Sequence, residues 1–135
     1  DYKGVIHDYD IAINLDPSDP NYFVQRGYVK DQLEDYKGAI HDYDIAIKLD
    51  PSDPDYFSKR GLSKRSLRDF VGALEDYEQA LKIDPRNSDF LTNRGAIKSN
   101  MGNYEGALKD YEQALKINPL HEIAKKNLDN LNKDI

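Results

Sequence analysis

The sequence predicts an all-α fold, a solenoid in which antiparallel helix pairs are stacked in series. Two kinds of residue recur every 34 positions, and a fixed period of this length is typical of repeat arrays. They are the glycines Gly4, Gly38, Gly72 and Gly106 and the prolines Pro17, Pro51, Pro85 and Pro119. The first two 34-residue units are identical at 24 positions, so one structural unit has been copied along the chain. We therefore expect residues 1–135 to form a single array.

Each unit contains two helical patterns, of which the second is the clearer. In the segment 36–50, apolar or aromatic residues recur at intervals of three and four, which gives one continuous stripe along a helix. Asp35 precedes this segment and is a good N-cap, as are Asp69 and Asn103 in later units. Pro51 then ends the helix, because proline disfavours helical geometry in the residue before it.

The first helix of the next unit begins directly after that proline. Asp53 provides its N-cap and Pro54 its first helical residue, where a missing N–H costs nothing. The pattern continues to about Leu67, and a short turn leads to Asp69. Two helices of about 13–15 residues with tight turns between them predict the stacked pair.

The unit resembles a tetratricopeptide repeat. In that pattern an aromatic residue is followed four positions later by a small one, then by an Ala, a further aromatic and a closing Pro. The matching residues are Phe23, Gly27, Ala39, Tyr43 and Pro51, then Phe57, Gly61, Ala73, Tyr77 and Pro85, then Leu91, Gly95, Ala107, Tyr111 and Pro119. The resemblance covers essentially the whole chain. It implies a right-handed superhelix whose first helices line a concave groove, where extended peptides or partner helices bind.

The frame of that family also implies where each repeat begins and ends. Residues 1–17 are the second helix of a truncated repeat, 20–51, 54–85 and 88–119 are full repeats, and 121–135 form a C-terminal capping helix. The truncated helix lacks part of its apolar cover, so we expect either further repeats upstream or self-association through this N-terminal helix. We favour the upstream repeats, because the chain begins in mid-repeat with a sequence almost identical to that of the next unit.

Composition argues against several other classes of protein. No apolar run approaches the roughly 18 residues of a membrane helix, so we expect no membrane insertion. The 25 acidic residues outnumber the 19 basic ones, which argues against nucleic acid as a partner. Cys is absent, which excludes disulfides and thiolate metal sites and leaves the cellular compartment open.

Charged residues recur at positions where the family prefers apolar ones. The first helices carry Arg26, Arg60 and Arg94 and, four residues later, Lys30, Lys64 and Lys98, while the second helices carry Asp8, Asp42, Asp76 and Asp110. A buried Arg needs a partner, and a carboxylate suits it best, so we predict an Arg–Asp ladder between helices. The Lys stems should pack while their ends reach out to solvent. The alternative is a row of anion-binding sites.

Small residues in the middle of the first helices indicate close helix packing. Gly27, Gly61 and Gly95 each cost about 1 kcal/mol relative to Ala in a helix interior. We expect close approach of the second helix at these glycines, with Ala39, Ala73 and Ala107 opposite them and the repeated tyrosines in the core.

The two most similar units differ mainly in their first helices. They share 20 of 23 residues up to Phe23 and its counterpart Phe57, but only 4 of the 11 that follow. By the frame of the family, the candidate partner-binding residues are Asn21, Val24, Gln25, Tyr28, Asp31, Gln32, Asp55, Ser58, Lys59, Leu62, Arg65, Ser66, Asp89, Thr92, Asn93, Ala96, Ser99 and Asn100. The alternative interpretation is neutral drift on an exposed helix face.

Charge in the predicted groove favours an acidic protein or peptide as the partner. The segment 58–68 carries five basic residues and no acidic one, and Lys59, Arg65 and Arg68 lie outside the predicted ladder. Some tetratricopeptide domains bind chaperone tails through a clamp of Lys, Asn and Arg residues. The matching positions here hold Val24, Tyr28, Lys59, Asp89 and Asn93, so we expect no such clamp.

The leading functional hypothesis is a non-catalytic protein-interaction scaffold. No H-E-x-x-H motif, phosphate loop or convergent acid–base set occurs, so we expect no enzyme, cofactor or metal site. The alternative is a structural array that mainly assembles with copies of itself or within a larger complex.

Overall fold

The computed structural model describes residues 1–134, which form eight α-helices and no strand. They are α1 (Tyr2–Leu15), α2 (Pro20–Gln32), α3 (Tyr36–Leu49), α4 (Pro54–Ser66), α5 (Phe70–Ile83), α6 (Ser88–Asn100), α7 (Tyr104–Ile117) and α8 (Glu122–Asp134). The predicted all-α solenoid is confirmed.

Contacts between helices follow the order of the chain. The most extensive lie within the pairs α2–α3, α4–α5 and α6–α7, and α3–α4 and α5–α6 join successive pairs. Since α1 also packs against α2, each of α2, α4 and α6 contacts two second helices, one on each side, whereas α8 packs against a single second helix, α7, within residues 1–134. The first helices also touch one another, α2 with α4 and α6 with α8. The open side of this row of first helices is the surface on which a partner has access to several repeats.

The recurring glycines near the start of the second helices make room for the N-caps. Asp35, Asp69 and Asn103 each accept a hydrogen bond from the N–H three residues later, as predicted. That N–H belongs in each case to a glycine of the 34-residue series. A Cβ atom added to Gly38 would lie 2.7 Å from Cγ of Asp35, so a larger residue would displace the capping carboxylate. The glycine thus leaves room for the capping side chain in each of these three repeats.

The glycines in the middle of the first helices accommodate tyrosine rings. A Cβ atom on Gly27 would lie 2.8 Å from Cε1 of Tyr43, and Gly61 and Gly95 face Tyr77 and Tyr111 in the same way. The tyrosine rings are therefore the nearest atoms, where the sequence led us to expect alanines. The prediction that these tyrosines belong to the core is confirmed, because Tyr43 and Tyr77 are fully buried.

The predicted ladder between the helices is present in all three pairs. The Arg26 guanidinium donates through Nε and Nη2 to the two oxygens of buried Asp42, at 2.9 and 2.7 Å. Arg60 binds Asp76 and Arg94 binds Asp110 with the same geometry. Hydrogen bonds to Asp42 raise the pKa of Arg26 and outweigh the opposing effect of burial.

Two details of the ladder differ from the prediction. The Lys30 ammonium does not reach out to solvent but lies 3.1 Å from Asp42, because the buried carboxylate attracts a second cation. Lys64 and Lys98 do the same with Asp76 and Asp110. Asp8, the fourth predicted member, is exposed and takes no part in the ladder within residues 1–134.

A second row of carboxylates links successive repeats, and the sequence did not reveal it. Nη1 of Arg26 donates to Asp10 of α1 at 2.8 Å, and Nη1 of Arg60 donates to Asp44 of α3 at the same distance. Each of these arginines therefore joins the second helix before it to the second helix after it.

The two ends of the array are closed differently. Within α8, Ala124 and Leu131 are buried, and Leu131 packs in a cluster with Tyr111 of α7. His121 stands at the start of this helix, where its Nδ1 accepts from the Ala124 N–H at 3.1 Å and its Nε2 lies 2.6 Å from Asp89. By contrast, α1 has no buried residue.

None of the helices within residues 1–134 has the length and apolar character needed to cross a membrane.

Candidate functional site

The candidate site is the open side of the first helices, which we call the groove surface. It comprises the accessible residues of α2, α4, α6 and α8 together with the second-helix residues that form the floor between them. Fifteen of the eighteen candidate residues are exposed or half-buried.

The other three candidates are buried, because their helices α2, α4 and α6 each pack against two second helices and so hide a wide face. Val24 packs with Phe23 and Tyr43 in the core. Ser58 donates to the Tyr77 hydroxyl at 3.0 Å, and Thr92 donates to the backbone carbonyl of Ser88 at 2.7 Å. These three side chains support the groove surface from below and are not part of its open area.

Cleft one lies between α2 and α4 and has a volume of about 320 Å³. Its lining mixes aromatic, apolar and polar side chains: Tyr28, Asp31, Gln32, Tyr36, Tyr43, Lys59, Leu62, Ser63 and Ser66. The Lys59 ammonium lies 5.5 Å from the centre of the Tyr28 ring, which is the geometry of a cation–π contact. This contact holds an aromatic face and a positive charge together at the rim of the cleft.

Asp31 is held at the floor of cleft one by two hydroxyl groups. Its carboxylate accepts from the Tyr43 hydroxyl at 2.6 Å and from the Ser63 hydroxyl at 2.7 Å. Burial raises the pKa of Tyr43, and the hydrogen bond to Asp31 raises it further. The charge of Asp31 is therefore partly engaged within the protein.

Cleft two lies further along the groove surface, has a volume of about 200 Å³ and extends from α4 across α6 to α8. Its lining consists of Arg65, Ala96, Ser99, Asn100, Tyr111, Asn127, Asn130 and Leu131. Among residues 1–133, whose side chains the structure describes, the lining has one charged side chain, Arg65, and no carboxylate. The Nε group of Arg65 donates to Oδ1 of Asn100 at 2.8 Å, which fixes the guanidinium at the edge of the cleft.

The three basic residues that the sequence placed outside the ladder have no acidic partner among residues 1–133, whose side chains the structure describes. Lys59 contacts Tyr28 and Arg65 contacts Asn100, both on the groove surface. The Arg68 guanidinium instead lies 5.1 Å from the centre of the Phe70 ring, outside both clefts. Two of the three basic groups thus lie on the groove surface.

The structure brings ten of the candidate residues together in the two clefts. Tyr28, Asp31, Gln32, Lys59, Leu62 and Ser66 line cleft one, and Arg65, Ala96, Ser99 and Asn100 line cleft two. Neither cleft includes the remaining open candidates Asn21, Gln25, Asp55, Asp89 and Asn93. Among these, Asp89 is occupied by His121.

Sequence reasoning missed several residues of the two clefts. Tyr36 and Ser63 line cleft one, while Asn127 and Asn130 line cleft two. The signal for the two asparagines was present, because α8 begins 34 residues after α6 and so continues the series of first helices. The two asparagines are not among the candidates because the sequence pattern assigns residues 121–135 only a capping role.

A third cleft of about 340 Å³ lies along α8 alone and has a mixed lining of acidic and basic side chains that includes Glu122, Lys125 and Asp129. Within residues 1–134, no group of three His, Cys, Asp or Glu side chains is placed to hold a metal ion.

Sequence comparisons agree with this architecture. Two models described as tetratricopeptide repeat match residues 54–87 and 88–120, and one described as TPR repeat matches residues 31–64. Together they cover residues 31–120, about two thirds of the chain. The chain belongs to the tetratricopeptide repeat family. No curated protein matches this tetratricopeptide chain in sequence.

Solved structures with a similar fold include other tetratricopeptide arrays. A crystal structure of MamA matches with a TM-score of 0.91 at 18% identity, and the match covers 99% of this chain and 78% of the MamA chain. The TPR domain of Arabidopsis OM64 has a TM-score of 0.82 at 26% identity, with coverages of 86% and 96%. The first TPR of Spaghetti (RPAP3), bound to the HSP90 peptide SRMEEVD, has a TM-score of 0.81 at 23% identity, with coverages of 85% and 91%.

Proposed function

We propose that this chain is a non-catalytic interaction module whose groove surface binds a peptide or helix of another protein. The observation that carries the proposal is the position of the two clefts. Both open on the row of first helices, and together they extend from α2 to α8. A ligand lying along this row contacts several repeats at once.

Variation between the copies supports the same surface. The residues of the ladder and the glycine–tyrosine packing recur in every full repeat, whereas the residues that line cleft one differ between the first two repeats. Tyr28 corresponds to Leu62, and Asp31 corresponds to Arg65. The scaffold is thus uniform, while the groove surface differs in chemistry from one repeat to the next, as selective binding requires.

The family to which the chain belongs is typical of protein-interaction scaffolds, and one structural neighbour holds an HSP90 peptide. We propose a peptide ligand here on the strength of that precedent together with the clefts. We do not extend the proposal to chaperone tails, because buried Val24 and the acidic Asp89 occupy two positions of the expected clamp.

The second candidate function is assembly with further copies of the chain, and it rests on α1. This helix has no buried residue, and Val5 and Ile11 are exposed on it. Assembly of this kind uses the end of the array and leaves the groove surface open, so the two functions can be tested separately.

The experiment is a selection of short random peptides on the purified chain, followed by affinity measurements on two matched variants. Tyr28 is 49% exposed on the groove surface, and Tyr104 is 50% exposed at the start of α7, outside both clefts. We expect Tyr28→Ala to weaken the selected peptides at least about tenfold, as loss of an aromatic anchor does, and Tyr104→Ala to leave them unchanged. Equal effects of the two substitutions, or a failure to select any peptide, would contradict the proposal.

A further inference from the structure

We infer that cleft two is a carboxylate-binding subsite, with Arg65 as the residue that contacts the ligand's carboxylate. The inference rests on the proposed function and names the chemistry of the ligand at one point of the groove surface. The ligand is a peptide that carries an acidic group at this point.

The guanidinium of Arg65 is oriented and has free donors. Its Nε is committed to Asn100 Oδ1, and among residues 1–133, whose side chains the structure describes, neither Nη1 nor Nη2 has a hydrogen-bond or salt-bridge partner. No buried side-chain nitrogen or oxygen in this part of the chain lacks a partner, so neither Nη group of the half-buried Arg65 is fully buried. Two parallel N–H groups on one guanidinium match the two oxygens of a carboxylate.

The surroundings of Arg65 supply further donors and no competing acid. The amide of Asn100 accepts from Arg65 through its oxygen, which leaves its NH₂ group free to donate. Asn127 and Asn130 of α8 bring two more amides to the same cleft. Because no carboxylate among residues 1–133 lines the cleft, none of these residues neutralises the positive charge of Arg65, although the whole chain has a net charge of −6.

Arg65 differs in this respect from the three ladder arginines. Arg26, Arg60 and Arg94 each bind a buried aspartate through two nitrogens. Arg65 lies on the opposite, open side of the same helix as Arg60, and its field lowers the pKa of Tyr111 against the larger, raising effect of burial. The ladder stabilises the fold, whereas Arg65 is placed where an external anion can reach it.

The carboxylate can come from an Asp or Glu side chain or from the C-terminus of the partner, and the test distinguishes these sources. Random peptides are selected on the purified chain in two formats, one with a free C-terminus and one with the C-terminus blocked. If a side chain is the source, both formats yield peptides with Asp or Glu at a fixed position. If the terminus is the source, only the first format yields binders.

The affinity of the selected peptides is then measured for Arg65→Gln and for the control Arg86→Gln. Arg86 is exposed in the loop before α6 and is not part of either cleft. We expect Arg65→Gln to weaken binding by about ten- to a hundredfold, the usual value of a hydrogen-bonded charge, and Arg86→Gln to change it less than twofold.

A second variant tests the site without removing Arg65. Asn130→Asp places a carboxylate inside the cleft, where it competes with the ligand for the guanidinium, and we expect a similar loss of affinity. Selected peptides with no acidic preference, whose affinity is the same for Arg65→Gln as for the parent chain, would overturn the carboxylate subsite while leaving the proposed function in place. A failure to select any peptide would overturn both.

Discussion

Each buried aspartate of the second helices is bound by two cations from the first helix of its own repeat. Asp76, for example, accepts from Arg60 at 3.0 and 2.7 Å and lies 3.2 Å from the Lys64 ammonium. Burial opposes the charge of Arg60, but its hydrogen bonds to Asp76 and Asp44 outweigh that effect and raise its pKa. Each buried aspartate of the ladder thus has two cationic partners, and loss of one cation leaves its charge only partly compensated.

The first prediction concerns this ladder. We expect Arg60→Ala to lower the free energy of unfolding by about 3 kcal/mol, because it leaves a buried carboxylate with one cation instead of two. Urea denaturation measures the change, and Arg86→Ala is the exposed control, expected to stay within about 0.5 kcal/mol. An Arg60→Ala variant as stable as the control would show that the ladder contributes nothing to folding.

The second prediction concerns the buried phenols. Burial raises the pKa of Tyr77 to about 12, against about 10 for an unfolded tyrosine. The neutral phenol is thus favoured by folding, so its contribution to stability is complete below pH about 10 and is lost as the pH rises toward 12. We expect an absorbance titration of the folded chain to show a late phenolate component, which Tyr77→Phe reduces. Ionisation of every tyrosine together near pH 10 would contradict this account.

At the scale of helices, the last element has two roles. Helix α8 closes the core through Ala124 and Leu131, and it also carries Asn127 and Asn130 into cleft two. Since α8 continues the series of first helices, one of its faces packs against the second helix before it, α7. The other face belongs to the groove surface.

The third prediction tests the packing of this helix. Leu131 is 5% exposed beside Tyr111, whereas Leu120 in the preceding loop is 87% exposed. We expect Leu131→Ala to lower the free energy of unfolding by about 2–4 kcal/mol, as a large-to-small change in a core does, and Leu120→Ala to have almost no effect. Deletion of residues 121–135 should lower the melting temperature further. An unchanged melting curve after the deletion would rule out a capping role for α8.

How far the sequence predicts each element depends on the strength of its local signal. The caps, the prolines and the 34-residue period specify the helices closely; the second helix expected over 36–50 in fact ends at Leu49. The contacts of Arg26 were only half predicted, because its bond to Asp10 depends on how successive pairs are stacked, which no local pattern encodes. The sequence wrongly places Val24, Ser58 and Thr92 in the groove. The width of the buried face depends on packing against two neighbouring helices, which no local pattern reveals.

At the scale of the whole molecule, the C-terminal helix α8 has buried core residues, whereas the N-terminal helix α1 has none and exposes apolar side chains. The fourth prediction concerns that helix. Because α1 exposes apolar side chains, we expect the 135-residue chain to self-associate through it. A pair of substitutions, Ile6→Lys and Tyr9→Lys, should abolish the association, whereas Val71→Lys on the exposed face of α5 should not. Sedimentation of the chain as a monomer at high concentration would contradict the prediction.

The central claim is that the groove surface is where this chain meets its partner, and mapping a bound peptide by NMR tests it most directly. A peptide selected on the chain is titrated into the isotope-labelled protein while the backbone and side-chain N–H signals are followed. The account predicts that the largest shifts fall on Tyr28, Lys59, Arg65 and Asn100, and that signals of Val71 and Tyr104 stay in place. Shifts confined to the second helices or to α1, with the two clefts unaffected, would contradict it.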